Sequence, residues 1–259
     1  MDFGISGKRV LITGGSKNIG AAITRAFAAE GAIVTLVSRD VDKLRALIEE
    51  IGGEKGGHGF VSANLLDSGE PTRVVRELLA KQGAFDIVVH NVGGALGIKD
   101  PLGPVEDWNS VWNFNVGIAI EMNTILIPPM QEQRWGRIVH ISSVSAEMGE
   151  LRLQPYGGSI PYAAAKAYLN AYVKGIGREI ARYNIVVSAL MPGAILSKEK
   201  YWDRLRKTNP TLVSDYLREH HSIGRFGKAE EIAPFAVFMA SEQASFACAS
   251  IIPIDGGRI

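Results

Sequence analysis

The 259-residue sequence contains one cysteine, Cys248, and almost no excess charge. A single cysteine excludes an internal disulfide and any site built from several cysteines, and it is typical of a reducing compartment. A net charge of +1 gives no reason to expect nucleic acid or an anionic membrane as a partner. The sequence also lacks a run of about 18 apolar residues and the pattern of a signal peptide. We therefore expect a cytoplasmic protein that binds a small molecule.

Short apolar runs rich in valine and isoleucine alternate with stretches of helical periodicity along most of the chain. Such runs are typical of strands buried on both faces of a parallel sheet. The alternation predicts an α/β fold with a single doubly wound Rossmann-type parallel sheet and helices on both of its faces. We expect one domain over residues 1–259 and, because 194–226 breaks the alternation, a substrate lid there. The predicted strands are residues 9–13, 33–38, 61–63, 86–90, 137–142, 185–190 and 250–254.

The stretch TGGSKNIG, residues 13–20, directly follows the first predicted strand. Backbone N–H groups at the start of the next helix can bind an anionic pyrophosphate at such a place. Gly14 permits a tight turn and Gly20 permits close packing. Asn18 replaces the middle glycine of the usual motif, and asparagine can adopt the left-handed conformation that the turn needs. The alternative is an ordinary glycine-rich turn between a strand and a helix.

The second predicted strand ends in VSRD, residues 37–40. Proteins selective for NAD place an acidic side chain near this point to bind the ribose 2′-hydroxyl, whereas Ser38 and Arg39 stand here. A guanidinium matches a 2′-phosphate, and Lys17 could approach the same group. Asp40 favours NAD if the register shifts, and Arg39 and Lys17 could also be solvated surface charges. We expect NADP(H) in preference to NAD(H).

The stretch YAAAK places Tyr162 and Lys166 four residues apart. On a helix this spacing brings both side chains to one face, where the ammonium can lower the pKa of the phenol and so favour proton transfer. The run RIVHISS places Ser142 and Ser143 at the carboxyl edge of the predicted sheet, where open α/β folds bind ligands. A tyrosine and a lysine at this spacing are common by chance, so the assignment depends on the surrounding motifs.

Several motifs in order resemble the short-chain dehydrogenase/reductase family over essentially the whole chain. The resemblance implies a nicotinamide cofactor and a homotetramer, or else a homodimer. It also implies that Tyr162 is the general acid/base, that Lys166 binds the nicotinamide ribose and lowers the tyrosine pKa, that Ser143 polarises the carbonyl, and that Asn115 supports a proton-relay water. The matching motifs are TGGSKNIG, HNVGG at 90–94, FNVG around Asn115, ISS ending at Ser143, YAAAK, MPGAILS at 191–197, GRFGKAEEIA at 224–233 and IDGG near the end.

The expected cofactor contacts combine these motifs with the resemblance. Asn64 stands where the family commonly has an aspartate beside the adenine, although a turn or capping role is an alternative. The expected set is Gly14, Ser16, Lys17, Asn18, Ile19, Gly20, Ser38, Arg39, Asn64, Leu65, Asn91, Gly93, Tyr162, Lys166, Pro192, Gly193 and Ile195.

Three departures from the family pattern stand out besides the shared motifs. Asn18 replaces a glycine, and His90 replaces the first asparagine of an Asn-Asn-Ala-Gly segment. Ser143 and Tyr162 are nineteen positions apart, against about thirteen in the family, which enlarges the loop at 146–161. Substrate selectivity is therefore expected from this loop and from the part of the lid at 195–221.

The sequence predicts an enzyme that reduces a ketone or aldehyde to an alcohol with NADPH. Alternatives are an NAD-dependent alcohol or sugar-derivative dehydrogenase and a non-catalytic, cofactor-binding regulatory protein on the same fold. Tyr201 and Trp202 offer apolar surface in the lid. Basic residues outnumber acidic ones around them, which would suit an anionic substrate unless these charges are simply solvated. We expect no metal site, because the adjacent His220 and His221 would not face one another on a helix.

Overall fold

Seven parallel strands form one sheet in the computed structural model, which describes residues 2–147, 158–198 and 201–258. Across the sheet they lie in the order β3-β2-β1-β4-β5-β6-β7. The doubly wound parallel sheet predicted from the sequence is thereby confirmed. In chain order the strands are β1 (Arg9–Thr13), β2 (Ile33–Ser38), β3 (Gly59–Ser62), β4 (Ile87–His90), β5 (Gly136–Ile141), β6 (Ile185–Pro192) and β7 (Ile251–Ile254).

Helices cover both faces of the sheet. Successive side chains of a strand point to opposite faces, and in β1 Val10 and Ile12 belong to one buried cluster while Leu11 belongs to another. The first cluster includes Phe27 and the second includes Leu126, both fully or almost fully buried. Burying one such side chain contributes about 1.5–3 kcal/mol to folding. The helices are α1 (Asn18–Ala29), α2 (Val41–Glu50), α3 (Glu70–Gln82), α4 (Val105–Trp112), α5 (Ile118–Gln133), α6 (Ile160–Ile180), α7 (Tyr201–Thr208), α8 (Pro210–His220) and α9 (Ala229–Met239).

Helices α1, α2 and α9 contribute to the cluster that contains Val10, and α3, α5 and α6 contribute to the one that contains Leu11. Both faces of the central strands are therefore covered by apolar side chains, as the uninterrupted valine and isoleucine runs predict. Within the described ranges, none of the helices is long and apolar enough to cross a lipid bilayer.

The order of the strands reverses beside β1, which pairs with β2 on one side and with β4 on the other. In open α/β sheets such a switch point leaves a crevice at the carboxyl ends of the strands, where ligands bind. Here the backbone N–H of Asn91, just after β4, donates to Thr13 Oγ1 at the end of β1 over 3.1 Å. The fold therefore brings the turn after β1 and the segment after β4 together at this edge.

The described residues of the segment at 194–226, predicted as a lid that breaks the alternation, form two helices, α7 and α8. They pack on each other through an apolar cluster that includes Val213, Tyr216 and Phe226. Asn209 begins α8 by accepting a hydrogen bond from the backbone N–H of Leu212. The described part of this predicted lid is thus a small helical unit with its own packing rather than an extended loop.

Candidate active site

A cleft of about 700 Å³ runs along the carboxyl edge of the sheet. It begins at the turn after β1 and reaches Tyr162 at the start of α6. All the residues expected to contact a cofactor line it, and so does Ser143. Asn115 is the exception among the predicted residues, since it lies beneath the cleft with 3% of its surface exposed.

The turn after β1 has the shape of an anion-binding turn. Asn18 has a φ of 48°, so it occupies the left-handed region that its replacement of glycine requires. A Cβ atom at Gly20 would overlap the carbonyl oxygen of Gly14, so only glycine allows this close approach. Among the described residues, no side chain caps the amino terminus of α1, and its first turn holds no acidic residue. The N–H groups at this helix end are therefore available to an anionic ligand.

Basic side chains surround the end of β2. Arg39 is exposed, and Lys17 Nζ lies 2.9 Å from the Asp40 carboxylate. That carboxylate also begins α2, because it accepts a hydrogen bond from the backbone N–H of Lys43 and pairs with the Lys43 ammonium at 2.9 Å. Hydrogen bonds from Lys43 and Lys17 hold the pKa of Asp40 well below its usual range. Ser16 and Ser38 are linked by a hydrogen bond of 2.8 Å between their hydroxyls.

Two asparagine side chains stabilise the cleft through hydrogen bonds. Asn64 Nδ2 donates to Asp67 Oδ1 over 2.7 Å, so its amide stabilises the turn after β3 as well as lining the cleft. Asn91 Nδ2 donates to the Gly14 carbonyl over 3.0 Å and so ties the segment after β4 to the turn after β1. Both amides therefore hold the cleft in shape.

The hydroxyl groups expected to perform the chemistry meet at the far end of the cleft. Ser159 begins α6, since its Oγ accepts a hydrogen bond from the backbone N–H of Tyr162 over 3.3 Å. Tyr162 and Ser143 both line this end of the cleft, and Ser143 Oγ accepts a hydrogen bond from the backbone N–H of Ser145 over 3.1 Å. Lys166 lies one turn further along α6, with Nζ 5.7 Å from the centre of the Tyr162 ring and 2.7 Å from the Ile141 carbonyl oxygen.

Burial controls the protonation of these groups. Lys166 is 3% exposed, and desolvation lowers the pKa of its amine to about 7. Burial raises the pKa of Tyr162, and the neighbouring Ser143 hydroxyl opposes that change only in part. The resemblance implies a lowered pKa for this phenol, but in this arrangement burial outweighs the factors that lower it. At neutral pH Tyr162 therefore carries its proton and can donate it.

Asn115 lies in a π-helical turn, Asn113–Gly117, between α4 and α5. Its side-chain amide donates to the carbonyls of Gly94 and Val111 over 2.9 and 2.8 Å and accepts from the backbone N–H of Gly94 over 3.0 Å. The wide turn brings this amide against the segment after β4, which it fixes beside Lys166.

His90, the second departure from the family pattern, points into the core rather than into the cleft. It pairs in register with His140 of β5, and the two rings stack with their centres 4.8 Å apart. His90 Nε2 forms a hydrogen bond of 2.8 Å with Asn123 Oδ1. Burial lowers the pKa of His90 to about 4 and that of His140 well below its ordinary value. Both rings are therefore neutral at pH 7.

Aromatic side chains of the lid form one wall of the cleft. Trp202 stacks on Tyr216 with ring centres 4.2 Å apart, and Tyr201 packs edge-on against Trp202. Two of the basic lid residues, Arg206 and Lys207, pair with the buried Asp203 at 3.2 and 2.9 Å, so they hold α7 together. Glu199, Lys200 and the 148–157 part of the enlarged loop lie outside the described residues.

Several residues that line the cleft are not predicted by the sequence as binding groups, among them Ser159, Tyr216 and Arg258. Ser159 has a local signal, a serine directly before a helix with Pro161 in its first turn. Tyr216 and Arg258 have none, since only the packed structure brings them to the cleft. No cluster of three or more potential metal ligands occurs within the described ranges.

Comparisons with known proteins show which proteins the chain is similar to. A family model described as enoyl-(acyl carrier protein) reductase matches residues 14–258. The chain is 34% identical to a 3-oxoacyl-(acyl-carrier-protein) reductase of Thermotoga maritima over 259 residues, which cover 98% of this chain and 99% of that protein. The crystal structure of the L-sorbose reductase of Gluconobacter frateurii with NADPH and L-sorbose aligns with a TM-score of 0.87 and 34% identity, covering 100% of this chain and 99% of that one. A short-chain dehydrogenase/reductase mutant from Serratia marcescens aligns with a TM-score of 0.83 and 29% identity, covering 98% of both chains.

Proposed function

Because the chain belongs to the short-chain dehydrogenase/reductase family, we propose that it is an NADP(H)-dependent oxidoreductase that reduces a ketone or aldehyde to an alcohol. The observation that carries the proposal is the meeting of Tyr162, Ser143 and the buried Lys166 at one end of a cleft that begins at the uncapped start of α1. A proton donor and a second hydroxyl thus face the same space.

The cleft fits a dinucleotide with a 2′-phosphate. The N–H groups of α1 suit the pyrophosphate, and Arg39 together with Lys17 suits the extra phosphate at the end of β2. Asp40, which also lines the cleft, is the feature that favours NAD. Its carboxylate is already bound by Lys17 and Lys43, so it is poorly placed to accept from a ribose hydroxyl. The bound NADPH of the L-sorbose reductase structure supports the same preference.

When bound, NADPH supplies the hydride for the carbonyl carbon. Tyr162 donates its proton to the carbonyl oxygen as negative charge develops there, and Ser143 donates a hydrogen bond to the same oxygen. The protonated form of the Lys166 amine stabilises the resulting tyrosinate. Asn115 holds the segment after β4 in position. The reverse oxidation uses the same groups in the opposite order.

Substitution of Tyr162 by phenylalanine tests this mechanism, because it removes only the phenolic oxygen. Turnover of a panel of ketones and aldehydes, followed by the absorbance of NADPH, should fall by at least about a hundredfold, while NADPH affinity changes little. The matched control is Tyr168→Phe on the same helix, since Tyr168 does not line the cleft. Near-normal turnover by Tyr162→Phe would exclude the assigned role.

The proposal extends to the lid and to assembly. Residues 194–226 act as a substrate lid, because Tyr201, Trp202 and Tyr216 line the cleft beside Tyr162. Among the described residues, and besides Phe246, exposed aromatic side chains include Phe235 and Phe238 on α9 and the Trp112–Tyr168 pair on α4 and α6. Two apolar areas of this kind suit a homotetramer built from two different interfaces, which light scattering would test. A cytoplasmic location remains a prediction based on the single cysteine.

A further inference from the structure

The charged side chains of the cleft lie in three places. Among the described residues, those lining it are Lys17, Arg39, Asp40, Lys166 and Arg258. The first three surround the end of β2, and Lys166 lies beside Tyr162. Arg258 has no role in the cofactor site or in the proton transfer proposed above. It shares the cleft with the aromatic wall of the lid, and no described carboxylate lines that part.

Arg258 reaches this position through contacts between the chain end and the lid. It pairs with His221 in an isolated antiparallel bridge, and the backbone N–H of Ser222 donates to the Gly257 carbonyl over 3.0 Å. The His221 ring in turn bonds to Tyr216 Oη at 3.3 Å and to the Asp255 carbonyl at 3.1 Å. One buried histidine therefore links the arginine segment to the aromatic wall.

The guanidinium has unused hydrogen-bonding capacity. Its Nε is shielded from solvent and has no hydrogen-bond partner among the described residues. Within the same ranges, Arg258 also forms no ion pair, in contrast to Arg206 and Lys207 on α7. The nearest acidic side chain in the sequence, Asp255, accepts from the backbone N–H of Gly257 and lines a smaller neighbouring cavity instead. A half-buried cation in such a setting is suited to an anionic ligand.

We propose that Arg258 binds an oxyanion of the substrate, so that the enzyme acts on a ketone or secondary alcohol that carries a carboxylate or a phosphate. This inference rests on the proposed oxidoreductase function and names the substrate class of the same site. The carbonyl lies at Tyr162 and Ser143, the anion pairs with the guanidinium, and the carbon chain between them packs on Trp202 and Tyr216. Arginine is suited to this task because its planar donors match both oxygens of a carboxylate.

The test compares charged and neutral forms of the same ketones. Oxo acids of increasing chain length are assayed beside their methyl esters, and dihydroxyacetone phosphate beside dihydroxyacetone. The series shows which spacing fits, and the two pairs distinguish a carboxylate from a phosphate. The parent should prefer the anionic member of at least one pair. Arg258→Ala should lower kcat/KM for that anion by about ten- to hundredfold, mainly through KM, and lower that of the neutral partner far less.

Two further variants sharpen the comparison. Arg258→Lys keeps the charge but not the planar pair of donors, so its KM for the anion should lie between those of the parent and of Arg258→Ala. The matched control is Arg218→Ala on α8, because Arg218 is exposed, pairs with Asp215 and does not line the cleft. It should behave as the parent does. The proposal is wrong if the parent has no preference for any anion, or if Arg258→Ala affects the acid and the ester equally.

A binding measurement separates this inference from the oxidoreductase proposal. Tryptophan fluorescence is titrated with the same acids and esters in the presence of NADPH. Loss of acid binding in Arg258→Ala without any turnover by the parent would contradict the oxidoreductase proposal and leave the anion site standing. Turnover of neutral ketones with no binding preference for acids would contradict the anion site and leave the oxidoreductase proposal standing. If Arg258→Ala does not fold, the proposal is tested instead by the KM of Arg258→Lys for the anionic substrate and by the salt dependence of the parent's KM for it.

Discussion

Replacement of Arg39 by alanine should weaken NADPH binding much more than NADH binding. Arg39 lies in the cleft at the end of β2, where the 2′-phosphate is expected. A hydrogen bond to a charged group contributes about 1.5–3 kcal/mol, which corresponds to about a ten- to hundredfold change in affinity. Because Arg39 is exposed, solvent screens its charge, and we expect a value near the lower end.

Fluorescence titration of the parent and of Arg39→Ala with each reduced cofactor measures this effect. The ratio of the two dissociation constants should fall by about tenfold in the variant, and the difference should shrink as salt is added, because added ions screen exposed charges. Arg45→Ala is the matched control, since Arg45 is exposed on α2 but does not line the cleft. An unchanged ratio in Arg39→Ala, or an equal change in Arg45→Ala, would refute the assignment.

Three further predictions concern the turn, the core and the lid. Asn18→Gly should leave NADPH affinity almost unchanged, whereas Asn18→Val should weaken it in the same titration, because a β-branched residue is strained at a φ of 48°. The His90 pKa of about 4 lies below the ordinary 6.5, so this residue's contribution to stability is complete above pH 6.5 and is lost as the pH falls toward 4. Urea unfolding at several pH values should show this loss in the free energy of unfolding, about 3 kcal/mol at most. The His90→Asn variant should show a shallower pH dependence of that free energy, and an equally steep dependence would contradict this. Trp202→Ala should change the ranking of carbonyl substrates with little effect on NADPH affinity, and an unchanged ranking would remove the lid from the substrate site.

The sheet can be predicted from the sequence because strands buried on both faces leave an unbroken apolar pattern. β1 and β2 have the predicted bounds. The pattern does not show where pairing continues: the sequence predicts that β6 ends at residue 190, but Met191 and Pro192 extend it by pairing with β7. The end of a strand depends on its neighbour, which local periodicity does not contain.

Part of the candidate site can likewise be predicted from the sequence, and part cannot. Tyr162 and Lys166 stand in one motif, so the sequence reveals them together. Arg258 comes from the chain end and Tyr216 from the lid, and only the packing of His221 between them brings both to the cleft. The protonation of Lys166 is equally hidden, because its lowered pKa results from burial by residues distant in the sequence.

Asp40 ties cofactor preference to the integrity of a helix. Its carboxylate begins α2 and neutralises Lys17, so a mutation at this position that changes the choice between NADP and NAD also alters the start of that helix. Loss of such a cap costs about 1 kcal/mol, a noticeable part of the stability of an ordinary domain. We therefore expect evolutionary changes in cofactor preference to begin with substitutions of Lys17 or Lys43, because these leave the Asp40 carboxylate in place at the start of the helix.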